Sequence, residues 1–301
     1  MTLQRRGALH VIDLATCKER VTAGGLPDRR AVVTSPDGRW TAMIRASGRG
    51  KSAKQTIWVA DRKTRRMRPI FSERQYYKSI GPGETPGPIV LLGWSGDDRW
   101  VFFSIDPGAS ASIAADGLTL RVVSVNGGRV FRLPPMLLYR DYLAWCGGRL
   151  VFTAGRDRIA TNRKRLLVAA PPAWHPRLLV KAPNRSWGSL ACTPNGRSLV
   201  AQSQAQSDAG YFFATHWALW RVGVDGSLRR LTSPPHGYAD ESPRFSRDGH
   251  ALAFVRSRKG VGKLYVLRRG SLLGPLLSLG YSLGYYGHQD WWLGAAWSAG
   301  S

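Results

Sequence analysis

The chain has 301 residues, 43% of them apolar, and its 44 Lys and Arg against 19 Asp and Glu give a formal net charge of +25. This length and apolar content allow a sizeable core and exclude a disordered chain. No uninterrupted run of roughly 18 apolar residues occurs, which excludes a transmembrane helix.

The positive charge favours contact with polyanions, such as nucleic acid, anionic lipid or an acidic polymer of the cell envelope. Basic residues scattered over solvent-facing strand positions would give the same net charge without a dedicated site. One dense block stands out, DRKTRRMR at Asp61–Arg68. We retain an anionic envelope polymer as a candidate partner and do not predict nucleic acid as one.

In chain order, GALHVIDLATCKERVTA at Gly7–Ala23 is typical of two strands, and VVTSPDGRW at Val32–Trp40 then introduces a repeat. Each copy has an apolar segment, an anchor residue, a Gly/Asp/Asn turn and an alternating apolar strand. The anchors are Ser35, Ser95, Cys146, Thr193, Ser246 and Ser298. Their spacing of 47 to 60 residues is close to that of propeller repeats.

Two further strands follow the inner hairpin in every complete copy. TIWVAD, LRVVSV, RLLVAA, ALWRVGV and KLYVL are third strands, and RMRPI, GRVFRL, PRLLV, SLRRL and GPLLSL are fourth strands. The chain therefore predicts an all-β fold, a six-bladed β-propeller of four-stranded antiparallel blades in a single domain, 1–301. The predicted blades are 30–73, 89–134, 138–183, 186–233, 237–280 and a closing blade of 284–301 with 1–24.

The closing blade combines both chain ends, since GAAWSAGS ends on a first strand and the first residues supply the others. Closure of this kind removes exposed sheet edges. TLQRR, at Thr2–Arg6, is a poor second strand. We therefore expect the natural chain to extend upstream of Met1, where a signal peptide could also lie.

The three cysteines, Cys17, Cys146 and Cys192, do not form a disulfide framework. Cys146 and Cys192 occupy nearly the same place in successive repeats but are one position out of step. Neighbouring strand positions face opposite sides of a sheet. We therefore predict no bond between them.

The copies TSPDGRWTAMI and PRFSRDGHALAFV resemble the TolB-type, WD-like propeller repeat over nearly the whole chain, with degenerate copies at WSGDDR, WCGGR and CTPNGR. The resemblance implies a six-bladed propeller. TolB itself carries a further N-terminal α/β domain, to which no residues here correspond. Similar propellers precede the catalytic domain of prolyl oligopeptidase-like enzymes, and no such domain follows here.

Catalytic and phosphate-binding motifs are weak. GYSLG at Gly280–Gly284 matches the nucleophile pattern around Ser282, but no α/β-hydrolase sheet surrounds it. GRGKS at Gly48–Ser52 lacks the first Gly of a phosphate loop. The six His residues are scattered, so we predict no metal and no cofactor.

Polar and aromatic residues concentrate in the segments that lead into each first strand, which open at the mouth of a propeller channel. The candidate ligand-binding residues are Asp28, Arg140, Asp141, Arg185, Trp187, Asp240, Glu241, His288, Asp290 and Trp291. One interpretation is a funnel that captures a peptide or zwitterionic ligand. The other is that these residues hydrogen-bond between blades.

The leading hypothesis is a non-enzymatic, monomeric binding module for an unidentified protein or peptide, in the periplasm or outside the cell, with a cytoplasmic location left open. The alternatives are a propeller enzyme of lyase, lactonase or hydrolase type with its site at the channel mouth, and a polyanion-binding protein.

Overall fold

The computed structural model describes residues 2–5, 8–12, 19–23, 32–48, 54–74, 89–106, 113–208, 216–282, 284, 286–289, 291 and 295–296, and for residues up to 23 and for 295–296 it describes the backbone alone. Within these residues there are 24 strands and two short 3-10 turns, Ile113–Ala115 and Arg140–Tyr142. No helix of the described part is long and apolar enough to cross a bilayer.

Five antiparallel sheets each consist of four consecutive strands, numbered here as sheets 1 to 5. Sheet 1 contains β4 (Val32–Thr34), β5 (Trp40–Ser47), β6 (Lys54–Asp61) and β7 (Met67–Arg74). Sheet 2 contains β8 (Ile89–Trp94), β9 (Trp100–Ile105), β10 (Leu118–Ser124) and β11 (Val130–Met136). Sheet 3 contains β12 (Leu143–Cys146), β13 (Arg149–Ala154), β14 (Arg165–Ala169) and β15 (Arg177–Leu178).

Sheet 4 contains β16 (Arg185–Cys192), β17 (Ser198–Ala205), β18 (Ala218–Gly223) and β19 (Leu228–Arg230). Sheet 5 contains β20 (Ala239–Phe245), β21 (Ala251–Arg258), β22 (Val261–Arg268) and β23 (Ser271–Tyr281). The prediction of an all-β chain built from four-stranded antiparallel meanders is confirmed. In each of these sheets the third and fourth strands fall on the apolar segments that the repeat identified.

The chain ends pair in a further sheet, the terminal sheet, with the order β24-β1-β2-β3. Its strands are β1 (Thr2–Arg5), β2 (Ala8–Ile12), β3 (Glu19–Ala23) and β24 (Ala295–Ala296). The expectation that Thr2–Arg6 makes a poor strand is wrong for Thr2–Arg5, which pairs with β2 on one side and with β24 on the other. Two flanking strands supply hydrogen-bond partners, and such context outweighs weak intrinsic strand propensity.

In sheets 1, 2, 4 and 5 the anchor residue fixes the inner hairpin by side-chain hydrogen bonds, whereas the anchor of sheet 3, Cys146, forms a disulfide. In sheet 1, Ser35 Oγ donates to Asp37 over 2.5 Å and accepts from the backbone N of Trp40 over 2.9 Å. Asp37 in turn accepts from the backbone N of Arg39 over 2.8 Å. The same arrangement recurs at Ser95, Thr193 and Ser246. A short hydroxyl followed two residues later by Asp or Asn therefore stabilises this turn in four of the five sheets.

Neighbouring sheets pack face to face through their inner strands. Strand β4 contacts β8, β12 contacts β16, and β16 contacts β20. Apolar side chains fill the space between sheets, for example Ile57, Leu91 and Phe103 between sheets 1 and 2. Burial of each such side chain contributes about 1.5–3 kcal/mol, so the stacking of sheets forms most of the core.

Cys146 and Cys192 form a disulfide, with a Cα–Cα distance of 5.6 Å, and our prediction of no bond is wrong. The two cysteines end the inner strands of sheets 3 and 4, β12 and β16, which lie side by side. In stacked sheets, one face of a sheet meets the opposite face of the next. A shift of one residue between the repeats therefore turns the two side chains toward each other, because successive strand residues face opposite sides.

Candidate functional site

The first strands of sheets 3 to 5 begin at the end of the sheet opposite their hairpins, and the predicted site residues lie at this end. Asp141 lies in the 3-10 turn just before β12, while Asp240 and Glu241 open β20. The described residues of the segment 284–291, which follows β23, lie at the same end. The topology thus brings together segments that are far apart in the sequence.

Asp141, Ser189 and His288 form a buried hydrogen-bonded group across sheets 3 and 4. Nε2 of His288 lies 3.1 Å from both carboxylate oxygens of Asp141. Ser189 Oγ, on β16, donates to Asp141 Oδ2 over 2.6 Å. The Asp141 and His288 side chains are 7% and 1% exposed, so the contact between them is shielded from solvent.

Two tyrosines hold the imidazole in place. Tyr139 stacks on His288 with ring centroids 3.7 Å apart, and Tyr142 meets it edge to face at 5.2 Å. We call Tyr139, Asp141, Tyr142, Ser189 and His288 the mouth cluster. Its geometry leaves the His288 ring one orientation, because both its face and its Nε2 edge are occupied.

The main chain of the 284–291 segment is also tied to sheet 3. The backbone N of Ala160 donates to the carbonyl of Tyr286 over 2.7 Å. The loop that carries Ala160 is fixed by Lys164, whose buried ammonium donates to the carbonyls of Asp157, Ile159 and Asn162 over 2.7–2.8 Å. Burial lowers the pKa of Lys164 to about 8. The segment is therefore held by a rigid loop as well as by the mouth cluster.

Electrostatics favour the ionised form of Asp141. Burial raises the pKa of this carboxyl, but the charge and hydrogen bond of His288, the charge of Arg244 and the Ser189 hydroxyl together bring it below its ordinary value. The Tyr142 hydroxyl has its pKa raised well above 10.0, chiefly by burial and then by Tyr139, Asp141 and Glu241. The cluster thus pairs a stable carboxylate with a neutral phenol.

Glu241 and Trp291 make a second link from the segment to sheet 5. Trp291 Nε1 donates to Glu241 Oε2 over 2.7 Å, and both residues are buried. The Trp291 ring lies against Gly262 on β22, where a Cβ atom would come within 2.5 Å of it. A side chain at position 262 would therefore displace the indole.

Asp240 is fully buried and is neutralised within its own sheet. Arg256, its cross-strand partner on β21, donates to both carboxylate oxygens over 2.6 and 2.8 Å. Such bidentate pairs hold a fixed geometry. Asp240 therefore fixes β20 against β21 at this end of the sheet.

The remaining described site residues differ in accessibility. Arg140 is exposed and donates to the Leu91 carbonyl over 3.2 Å. Arg185 is half-buried, donates to Ser203 and lies 4.3 Å above the Trp220 ring. Trp187 is buried in the core between sheets 3 and 4. Arg140 and Arg185 are thus the charged side chains of the predicted set that solvent reaches.

Two of the ten predicted residues, Asp28 and Asp290, lie outside the described residues. Of the other eight, the structure joins Asp141 to His288 and Glu241 to Trp291 directly. Arg140, Arg185, Trp187 and Asp240 bond to other partners, as given above.

Two polar atoms with spare hydrogen-bonding capacity belong to Tyr142 of the mouth cluster and to Gln289, the residue after His288. Tyr142 Oη and Gln289 Oε1 are buried and have no hydrogen-bond partner among the described residues. Leaving such an atom unpaired costs about 1–3 kcal/mol.

The cluster does not have the geometry of a catalytic triad. The order of hydrogen bonds is Ser189–Asp141–His288, whereas a nucleophilic serine must bond to the imidazole. Ser282, from the GYSLG motif, follows the long strand β23, and its Oγ accepts from the backbone N of Gly284. No group of three or more potential metal-binding side chains occurs within the described ranges.

Ser189, Tyr139, Tyr142 and Arg256 were missed by sequence reasoning. Arg256 could have been found, because hairpin register places it opposite Asp240. Ser189 lies inside a strand with a bulge between Trp187 and Leu190, which alters the alternation of side chains. No sequence signal indicated the tyrosines' contact with His288.

No protein-family model matches the chain, and no curated protein matches it either. Solved structures do. Putative TolB from Agrobacterium tumefaciens superposes with a TM-score of 0.52 at 15% identity, covering 93% of this chain and 91% of its own. The β-propeller domain of the trilobed protease from Pyrococcus furiosus superposes with a TM-score of 0.51 at 14% identity, covering 88% of this chain and 73% of its own. Acylaminoacyl peptidase from Pyrococcus horikoshii superposes with a TM-score of 0.52 at 14% identity, covering 90% of this chain and 45% of its own.

The fold is a β-propeller similar to that of TolB. At these identities the likeness extends to the fold alone. The chain spans less than half the length of the acylaminoacyl peptidase. In a propeller, the ends of the sheets face the two openings of the central channel.

The charge state of Asp141 predicts acid sensitivity. Because its folded pKa lies below the ordinary 3.8, its stabilisation is complete above about pH 4 and is lost as the pH falls through the folded value. The difference in unfolding free energy between wild type and Asp141→Asn should therefore be constant near pH 5 and shrink toward pH 3, as measured by urea denaturation. In a His288→Gln background, the effect of burial on the pKa of Asp141 is no longer offset by His288. The difference in unfolding free energy between this background and its Asp141→Asn variant should then no longer shrink toward pH 3. A difference that stays constant with pH in wild type would contradict the ionised assignment.

Proposed function

We propose that this chain is a non-enzymatic, six-bladed propeller that acts as a binding module, with its channel mouth as the binding site. The observation that carries the proposal is that two buried polar atoms, Tyr142 Oη of the mouth cluster and Gln289 Oε1 of the residue after His288, have no hydrogen-bond partner among the described residues. Central concave sites with a few convergent polar groups are the usual ligand sites of such folds. The sixth blade is the terminal sheet, whose pairing of both chain ends supports ring closure.

The chemistry of the mouth favours a peptide. Described residues of the segment 284–291 already lie there, held by a main-chain bond from Ala160 to Tyr286, the stacked imidazole of His288 and the buried indole of Trp291. Arg140 and Arg185 supply accessible positive charge beside it. A partner segment with a carboxylate and an aromatic side chain would use the same kinds of contact. The chain acts in this proposal as a monomer.

The disulfide supports an extracytoplasmic location, in the periplasm or cell envelope. Bonds such as Cys146–Cys192 form and persist in oxidising compartments and are rare in the cytosol. The likeness to TolB supports a propeller fold for this chain and gives no support for any particular partner.

Peptide selection tests the proposal. A displayed library of random peptides is selected on the intact chain, and the enriched peptides are titrated by calorimetry into wild type and Arg140→Glu. We expect a consensus with an acidic residue and binding at least about tenfold weaker in the variant, since a charge pair is replaced by repulsion. Arg229→Glu, on the outer strand β19, is the matched control and should bind as wild type. No consensus, or equal binding by Arg140→Glu, would contradict the proposal.

A further inference from the structure

The face of the propeller opposite the mouth carries a charge pattern that the repeat itself generates. In a four-stranded meander the first and third hairpins lie at the same end of the sheet. The residue that follows the turn of each inner hairpin is basic in all five sheets. These residues are Arg39, Arg99, Arg149, Arg197 and His250, and all are exposed.

The inner hairpins touch one another from sheet to sheet. The backbone N of Asp37 donates to Asp98 over 3.3 Å, joining sheets 1 and 2. Gly96 lies against Trp145, and Gly147 lies against Gly196. Gly249 lies against Pro194, joining sheets 4 and 5. The basic residues therefore form one continuous row, which we call the arginine arc, made of Arg39, Arg99, Arg149 and Arg197.

The backbone of the arc is fixed while its side chains stay accessible. The backbone N of Arg39 donates to Asp37, and that of Arg197 donates to Asn195. These bonds fix the backbone of each arginine at the end of its turn. Arg39 pairs with Asp61. In the part of the chain that the structure describes, Arg99, Arg149 and Arg197 have no ion pair with a carboxylate. Their charge is thus available to an external anion.

The outer hairpins extend this charge over a wider area. Those of sheets 1, 2, 3 and 5 add further exposed basic residues at the same end. They are Arg62, Lys63, Arg65, Arg66, Arg68, Arg129, Arg177 and Arg269. Three Asp residues at this end are engaged within their own turns, two in inner hairpins and one in the outer hairpin of sheet 4. Asp37, Asp225 and Asp248 each accept from a Ser hydroxyl, and the pKa of each is lowered, first by that bond.

Exposed apolar side chains lie among these charges. Five of the large apolar side chains that are more than a third exposed lie at or near the start of the fourth strand, next to the outer hairpins. They are Met67, Leu178, Val224, Leu228 and Leu272, with exposures of 37 to 46%. Apolar side chains mixed with cationic ones on a surface are typical of proteins that lie on a membrane interface.

We propose that this hairpin face docks on the surface of an anionic phospholipid bilayer. The arginine arc contacts lipid phosphates, and the apolar side chains enter the headgroup layer. A bilayer fits better than a nucleic acid because the charges are spread in two rows over five sheets, whereas a duplex would follow a single groove. A nucleic-acid backbone also offers nothing to the exposed apolar residues. Docking by this face leaves the channel mouth pointing away from the membrane and free to bind.

Vesicle flotation tests the proposal with the intact chain. The probes are vesicles of phosphatidylcholine with about 30 mol% phosphatidylglycerol, and vesicles of phosphatidylcholine alone. We expect binding to the anionic vesicles at about 0.1 M salt. Most of this binding should be lost at about 0.5 M salt, because salt screens exposed charges. The triple variant Arg99→Glu, Arg149→Glu, Arg197→Glu should partition about 100-fold more weakly.

The matched control reverses three exposed basic residues at the opposite end, Arg156→Glu, Lys181→Glu and Lys259→Glu. It should weaken binding less than about threefold, since these side chains lie farther from the membrane than a Debye length. The neutral triple Arg99→Gln, Arg149→Gln, Arg197→Gln should give an intermediate loss, and its circular dichroism and thermal unfolding check the fold. Equal losses in both Glu triples would assign binding to diffuse charge and overturn the proposal.

Leu228→Ser with Leu272→Ser separates a bilayer from a nucleic acid. This variant keeps every arginine, so we expect about tenfold weaker vesicle binding from the lost apolar area and unchanged binding to a DNA duplex. Tighter binding to the duplex than to anionic vesicles, with no effect of the two Ser substitutions on either, would overturn the proposal. Wild type that fails to float with anionic vesicles would also overturn it.

Discussion

Replacing Asp141 by alanine is expected to lower the free energy of unfolding by about 3–5 kcal/mol, because it leaves the buried His288 without its carboxylate. The substitution also removes the acceptor of the Ser189 hydroxyl and the negative charge that faces Arg244. Chemical denaturation at pH 7 measures the change.

The control for this prediction is the double variant Asp141→Ala, His288→Ala. Removing both members of the pair leaves no buried charge uncompensated, so its loss should be smaller than the sum of the two single losses. Strict additivity would mean that the two side chains do not interact. A loss below about 1 kcal/mol for Asp141→Ala would place the pair in solvent and contradict the packing of the mouth cluster.

Removing the Cys146–Cys192 disulfide is the second large effect expected. The bond joins sheets 3 and 4 across a sequence separation of 46 residues, and its loss should cost about 2–4 kcal/mol. Thermal and urea unfolding of protein purified without reductant, with and without dithiothreitol, gives the measurement.

The variant Cys146→Ser, Cys192→Ser should match reduced wild type in stability and should not respond to dithiothreitol. Thiol titration under denaturing conditions offers an independent check. With two of the three cysteines bonded, we expect one reactive thiol for each chain. Three reactive thiols, or unfolding that dithiothreitol leaves unchanged, would show that the bond is absent.

The fold was predictable because each repeat contains the residues that form its hairpin and its strands. In four of the five inner hairpins, the anchor Ser or Thr and the Asp or Asn two residues later make the hydrogen bonds that stabilise the turn, as Ser35 and Asp37 illustrate. Alternating apolar residues then defined the strands. Thr2–Arg5 escaped prediction because its strand character comes from two neighbouring strands.

The site was predictable only in part, because its contacts depend on how sheets stack. Positions at the channel mouth followed from topology, which placed Asp141 and His288 in the candidate set. Their mutual contact spans 147 residues, so no local spacing could indicate it. The prediction of no disulfide failed for a related reason. Side-chain alternation was applied within one sheet, while the bond joins opposite faces of two sheets.

Hydrogen–deuterium exchange of the chain with and without a selected peptide tests the central claim that this propeller binds at the channel mouth. We expect slower exchange on binding in three segments, 137–143, 185–191 and 286–289, which contain the residues of the mouth cluster. The hairpins of the arginine arc should exchange unchanged in the same experiment. Protection confined to those hairpins, or none at the mouth segments in the presence of a saturating peptide, would contradict the account.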